Sequence, residues 1–242
     1  MPLLITFFAG FSIFVGAGII KISKNPHIIE QLSISIATGS LLSLMIFDFL
    51  PDITESSTQT KWYIEVLFVL IGVAILKVLD LFIPDHQDTH SNHDKENAVH
   101  IGLISALAVI LHNIVEGMTV YSLSLDSTSQ GVVFAVGISL HNIPMGMLIC
   151  STLRKNSKKS KTLLILSLVT VSTFVGGILM SLISSVLTES VQKSLILIAL
   201  GMIVYIVFAE LLPHIVRTRP ILVSLIGVVS GFLPVMISCL VF

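Results

Sequence analysis

Eight apolar runs alternate with short polar connections along the chain, near residues 3–20, 30–50, 63–84, 101–124, 131–153, 162–187, 194–213 and 220–242. Each run is close to the ~20 residues that a helix needs to cross a hydrocarbon core. The connections hold the turn formers and the charges: KISKNPH, PDITESSTQTK, PDHQDTHSNHDKENAVH, DSTSQ, RKNSKKSK, TESVQK and RTRP. The pattern predicts an all-α integral membrane protein with eight transmembrane helices, one domain over residues 1–242. The opening MPLLITFFAGFSIFVG has no Lys or Arg ahead of its apolar stretch and no small-x-small cleavage site. It reads as a first span rather than a removed leader.

Composition agrees with the pattern. Of 242 residues, 54% are hydrophobic and 11% charged, against about 25% charged in soluble domains. No basic stretch suits a nucleic acid. Lys and Arg collect in cytoplasmic loops, and here they fall in the odd-numbered ones. Lys21 and Lys24 lie in the first loop, Lys95 in the third, Arg154, Lys155, Lys158, Lys159 and Lys161 in the fifth, and Arg217 and Arg219 in the seventh. The even loops hold only Lys61 and Lys193. Both termini are therefore expected outside, in a multi-pass protein of the cell (plasma or inner) membrane. Lys77, late in the third span, either snorkels to the interface or pairs with an acid. Cys150 and Cys239 fall near opposite faces under this topology, which makes them packing residues rather than a pair.

Two internal repeats cut across this layout. HNIVEGM (112–118) in the fourth span matches HNIPMGM (141–147) in the fifth, and GSLLSLMIFDFLP (39–51) in the second matches GMIVYIVFAELLP (201–213) in the seventh. Gly39 aligns with Gly201, Asp48 with Glu210, and Pro51 with Pro213. The paired spans run in opposite directions, as in an inverted repeat of 3+2+3 spans, the architecture of transporters with a site near the midplane.

On a helix, residues four apart share a face. His112 and Glu116 are so spaced, as are His141 and Met145. Asn113 and Asn142 follow their histidines, turned by about 100°. Two such helices can offer imidazole, carboxylate, amide oxygen and thioether to one small volume. A divalent cation suits that set, because it offsets the cost of a buried carboxylate. Zinc accepts imidazole and carboxylate readily. Pro144 removes one helical hydrogen bond, that to the carbonyl of Leu140, so a bend is expected there. A single membrane His or Asn is more often an interhelical hydrogen bond; the whole pattern favours a functional site.

These residues resemble the ZIP (Zrt/Irt-like) family of divalent-metal transporters, in particular its bacterial members. The resemblance spans essentially the whole chain: eight spans, HN-x-x-EG in the fourth, Leu-Pro endings of the second and seventh, and a histidine-containing loop after the third. It implies that His112, Asn113 and Glu116 are metal ligands, with His141 and Asn142 at the facing positions. The chain departs from that pattern at three places. Met145 stands where a bridging Glu is usual, STFVGG (172–177) stands where a Glu-Pro pair is frequent, and Leu41 replaces a frequent Met. With Glu116 as the one central carboxylate, a single ion through His112, Glu116, His141 and Met145 is expected instead of two.

The third loop carries His86, His90, His93 and His100 among acids and reads as an irregular segment, either a metal-capturing loop or a merely solvated one. His214, Asp52, Asp126, Asp48 and Glu210 are further polar positions along the route, each equally readable as an interfacial or stabilising group. The expected function is uptake of zinc into the cytoplasm, with Fe2+, Mn2+, Co2+ and Cd2+ compatible with parts of the same ligand set. The competing readings are an intramembrane metal-dependent hydrolase and a metal sensor. The hydrolase wants His-Glu-x-x-His, and no second His stands four residues from His112. The loops are too short for a signalling domain. Gly176, Gly177 and Ser181 permit close packing within or between protomers, which leaves a homodimer open.

Overall fold

No water reaches the hydrocarbon core, so each backbone N–H and C=O there must be paired within its own segment. The apolar runs accordingly form helices. The computed structural model describes residues 1–22, 26–51, 61–81, 93–154, 157–183 and 189–241. Among them, eight helices are long and apolar enough to cross a membrane, and there is no strand. Their α-helical parts are α1 (Pro2–Ile22), α2 (Pro26–Leu44), α3 (Trp62–Asp80), α4 (His93–Asp126), α5 (Thr128–Arg154), α6 (Lys159–Ile183), α7 (Glu189–Tyr205) and α8 (Ile221–Val241), the second span reaching Phe47 and the seventh Arg217.

Two boundaries differ from the sequence reading, the start of α4 and the end of the seventh span. α4 begins at His93 rather than near 101; no Gly or Pro interrupts residues 85–101, so the helical ladder runs back into what reads as an irregular loop. The seventh span does not stop at its proline, and both α2 and α7 leave regular α-helix shortly before theirs. Each passes first through a π-turn, Met45–Phe49 after α2 and Ile206–Leu211 after α7. The N–H of Leu50 reaches the carbonyl of Met45, and that of Leu212 reaches Val207. Pro213 then sits in the first turn of a short helical continuation, Leu212–Arg217, where its missing N–H is not needed. Pro144 also lies inside an uninterrupted helix.

Apolar side chains gain little by leaving lipid for another helix, so helices associate where backbones can approach closely. Four helix pairs do this, each through one glycine per helix set against a carbonyl of the other. A methyl group added at Gly16 or Gly146 would overlap the carbonyl of Ile143 or Ile13 (α1–α5). Gly117 and Gly176 stand likewise against Thr173 and Ile114 (α4–α6), Gly39 and Gly231 against Val228 and Ile36 (α2–α8), and Gly72 and Gly201 against Ile198 and Val69 (α3–α7).

Polar ties fix the same four pairs. Arg154 Nη1 donates to the carbonyl of Ile20 at 2.9 Å, and Gln31 Nε2 donates to Pro220 O and Ser224 Oγ, both at 2.9 Å. Tyr205 Oη donates to Asp80 Oδ2 at 2.7 Å, and Asn113 Nδ2 to Val169 O at 3.3 Å. α3 and α7 have a second tie, a partly buried ion pair of Lys193 Nζ with Glu65 Oε1 at 2.7 Å. The α1–α5 and α4–α6 pairs then pack on each other through α4–α5 and α1–α6, while α2 lies along α5. α3 exposes most of its surface. Its Lys77 points outward and ends in the last turn, a placement that fits snorkelling.

The crossings predict a contrast. Gly117→Ala should destabilise the protein by about 1–3 kcal/mol, the usual range for overpacking. Gly18→Ala, with nothing within 4 Å of the added carbon, should be neutral or slightly stabilising. Thermal unfolding of both variants in the same detergent tests it; equal shifts would show that the crossings tolerate a methyl.

Candidate metal centre

α4 and α5 carry the matched motifs, and their packing brings the two histidines together over one carboxylate. His112 Nε2 and His141 Nε2 each contact Glu116 Oε1 at 2.9 Å. Their rings lie 5.9 Å apart, centroid to centroid. The i, i+4 spacing explains the first contact, and the α4–α5 interface supplies the second. All three residues are buried, Glu116 with only 8% of its surface exposed. One ligand atom from each lies within 4.8 Å of the others.

The remaining motif residues surround this group. Asn113 and Asn142 are fully buried. Asn113 spends its Nδ2 on α6, while its Oδ1 and both polar atoms of Asn142 have no hydrogen-bond partner, nor does Glu116 Oε2. A buried amide or carboxylate oxygen without a partner is costly, and here several occur within one turn of the imidazoles. Such a set of oxygens and nitrogens matches a borderline divalent cation. Met145, 1% exposed, stands one turn beyond His141 on α5, within the main apolar cluster. Gly176 provides the close approach of α6 to α4. It thus fills with backbone contact a place where the family resemblance implies a frequent carboxylate.

A family model described as "ZIP Zinc transporter" matches residues 83–238, which include both motifs and all three buried contact residues. The chain belongs to this family. It is similar to proteins named zinc transporter ZupT. That of Chlorobium chlorochromatii is 29% identical, over 98% of this chain and 96% of the relative. That of Akkermansia muciniphila is 31% identical, over 74% and 72%, and that of Clostridium perfringens 24%, over 100% and 96%. As a ZIP member the chain is a transporter rather than an enzyme.

A second group lies at the end from which the odd-numbered loops leave. Asp80, His100 and Glu210 offer ligand atoms within 4.8 Å of one another. His100 Nε2 contacts Asp80 Oδ1 at 2.8 Å, and Tyr205 holds the other oxygen. The π-turn explains why Glu210 faces this group. In an α-helix, five residues advance by 500°, which would turn Glu210 some 140° from Tyr205. A π-turn bonds residue i to i+5 and stacks them.

The sequence reading placed His100 in the loop and passed over Asp80 and Tyr205. An acid inside AILKVLDLF was the available signal, since ionisable groups inside spans mark sites. His86 and His90 lie outside the described residues, as do Asp52 and the side chains of Asp48, His93 and Asp126.

Glu116→Gln keeps the size of the side chain and removes its charge. It should weaken zinc binding by about 100-fold or more, because changes outside the ligand shell already cost about 10–100-fold. Calorimetric titration of detergent-purified protein checks this. Undiminished affinity would remove Glu116 from the ligand set.

Proposed function

We infer that this ZIP transporter carries zinc, or a similar divalent transition metal, inward across the cell membrane through a single-ion site made by His112, Glu116 and His141. Asn113, Asn142 and Met145 complete its wall. The observation that carries the reading is the buried Glu116 carboxylate held between two imidazoles on two membrane-spanning helices. A neutral imidazole pair and one carboxylate give a dication nitrogen and oxygen ligands while leaving it able to depart. The names of the curated relatives favour zinc.

Charge limits the site to one ion. Two unit charges 4 Å apart repel by roughly 4 kcal/mol at an effective dielectric of 20, and two dications by roughly four times that. One carboxylate cannot balance the second ion. Met145 supplies a soft, neutral thioether where a carboxylate would lower that repulsion.

The Lys and Arg of the odd loops mark their side as cytoplasmic, and movement toward that side is the direction we assign. An inverted repeat is supported by the packing itself. Exchanging α1 with α6, α2 with α7, α3 with α8 and α4 with α5 converts the α1–α5 crossing into α6–α4, and α2–α8 into α7–α3. It also exchanges the two π-turns, each of which bears an acid, Asp48 or Glu210, three residues before a proline. In this reading the bundle of α1, α4, α5 and α6 rocks against the flanking pairs. Asp80, His100 and Glu210 give the ion its next polar stop toward the cytoplasm. The other third-loop histidines, His86, His90 and His93, tune this delivery without being required for it.

Uptake by purified protein in liposomes, with competing metals, tests the reading. Glu116→Gln and His112→Ala should each lose most zinc flux while still inserting. Metal displaces protons from its ligands, so wild-type flux should fall as the pH is lowered. Met145→Glu should raise central occupancy from one ion toward two and shift preference toward manganese. Two central ions in the wild type would refute the single-ion site.

A further inference from the structure

His100 sits on the same helix as His112 and Glu116, 12 residues ahead of His112, or about 18 Å along the axis at 1.5 Å per residue. Its contact with Asp80 joins two parts that are each tied internally. α3 and α7 are held at three levels: Glu65 with Lys193, the Gly72–Gly201 crossing, and Tyr205 with Asp80. α4 is held to α6 by the Gly117–Gly176 crossing and by Asn113. α3 itself touches α4 along little of its length. The His100–Asp80 contact is therefore no by-product of wide packing between those two helices.

Both oxygens of Asp80 are engaged, Oδ1 by His100 and Oδ2 by Tyr205. The two side chains are about 15% exposed, so the contact is shielded more than a surface pair of small worth. The Glu210 carboxylate also lies in this group, and α4 packs against the π-turn that carries it. Polar groups from three helices thus meet where an ion descending between α4 and α7 would leave the apolar shell.

We propose that the Asp80–His100 contact is a latch. It holds the ligand-bearing α4 against the α3–α7 pair at the odd-loop end, and it must part before the central ion can exchange with that side. Tyr205 is its positioning residue, fixing the Asp80 carboxylate so that one oxygen faces α4. A cation drawn to Asp80 and Glu210 competes with His100 and opens it. The latch rests on the reading above, in which α4 moves relative to α3 and α7.

The test is a reversible cross-link. In a background with Cys150 and Cys239 replaced by Ser, Asp80→Cys/His100→Cys is bridged with a short bis-methanethiosulfonate, because direct disulfides require closer α-carbons than two long side chains meeting at their tips provide. Glu65→Cys/Lys193→Cys, bridged in the same way, links α3 to α7 within one tied pair. Zinc uptake in liposomes should fall at least tenfold when positions 80 and 100 are linked, and return on reduction. Linking 65 to 193 should change it less than twofold. Undiminished uptake with 80 and 100 linked overturns the latch, as does equal loss from both links.

Zinc titration of the linked protein separates this outcome from failure of the central site. Binding retained with uptake lost is the latch result; binding lost together with uptake overturns the latch as the cause. A milder pair of variants guards against a double mutant that is inactive before linking. Ser105 is fully buried on α4 between His100 and His112, and its hydroxyl has no hydrogen-bond partner. A Ser105→Cys probe should react severalfold faster with an impermeant thiol reagent added on the odd-loop side when Tyr205→Phe or His100→Ala is also present. Unchanged labelling in both overturns the proposal.

Discussion

A carboxylate inside a membrane is the constraint on which the rest of this molecule turns. Glu116 is buried, and burial of an unpaired ion is among the largest penalties a fold can carry. The chain answers with two imidazoles, one from the same helix a turn away and one from the neighbouring helix. The second can arrive only if α4 and α5 lie at a fixed depth and rotation relative to each other. The local chemistry of one side chain thus sets the register of two helices.

Glycine makes that register possible. Helices in lipid lack the drive that water gives to a soluble core, and their positions follow from where backbones can touch. Gly146 fixes α5 on α1 and Gly117 fixes α4 on α6, each a residue or a few from a motif histidine or carboxylate. The glycines of HNIVEGM and HNIPMGM are therefore part of the site. They locate the helices that carry the proposed ligands, while His112, Glu116 and His141 are the residues proposed to hold the ion.

Most of the fold was legible in the sequence because the bilayer imposes length and polarity together. Eight runs of suitable length became eight helices, and the paired motifs identified the residues that meet at the centre. What the sequence hid was of two kinds. Backbone departures escaped it: π-turns interrupt both helices just before Pro51 and Pro213, and the second helix runs on past its proline to Arg217. Proline chemistry marks such a place without saying how the chain resolves it. Pairings between distant residues escaped it too. Asp80, His100 and Tyr205 come from three helices, and His100 reads as part of a solvated loop until α4 is seen to begin at His93. The i, i+4 rule finds partners on one helix and is silent about partners on two.

The π-turn and the helix start combine into one consequence. Were α7 regular, Glu210 would be turned away from Tyr205; were α4 to begin at residue 101, His100 would lack a fixed place. Both departures act at the same end and toward the same group. The central site by contrast is built from regular helix, with the motif spacing alone aligning His112 and Glu116. A site on regular helix is rigid, as tight and repeatable coordination requires. A group assembled from a π-turn, a helix terminus and the end of α3 rests on fewer backbone constraints, and local opening begins where those are fewest. Under the proposed function, the molecule places its firm geometry where an ion is to be held and its weaker geometry where one is to be let go.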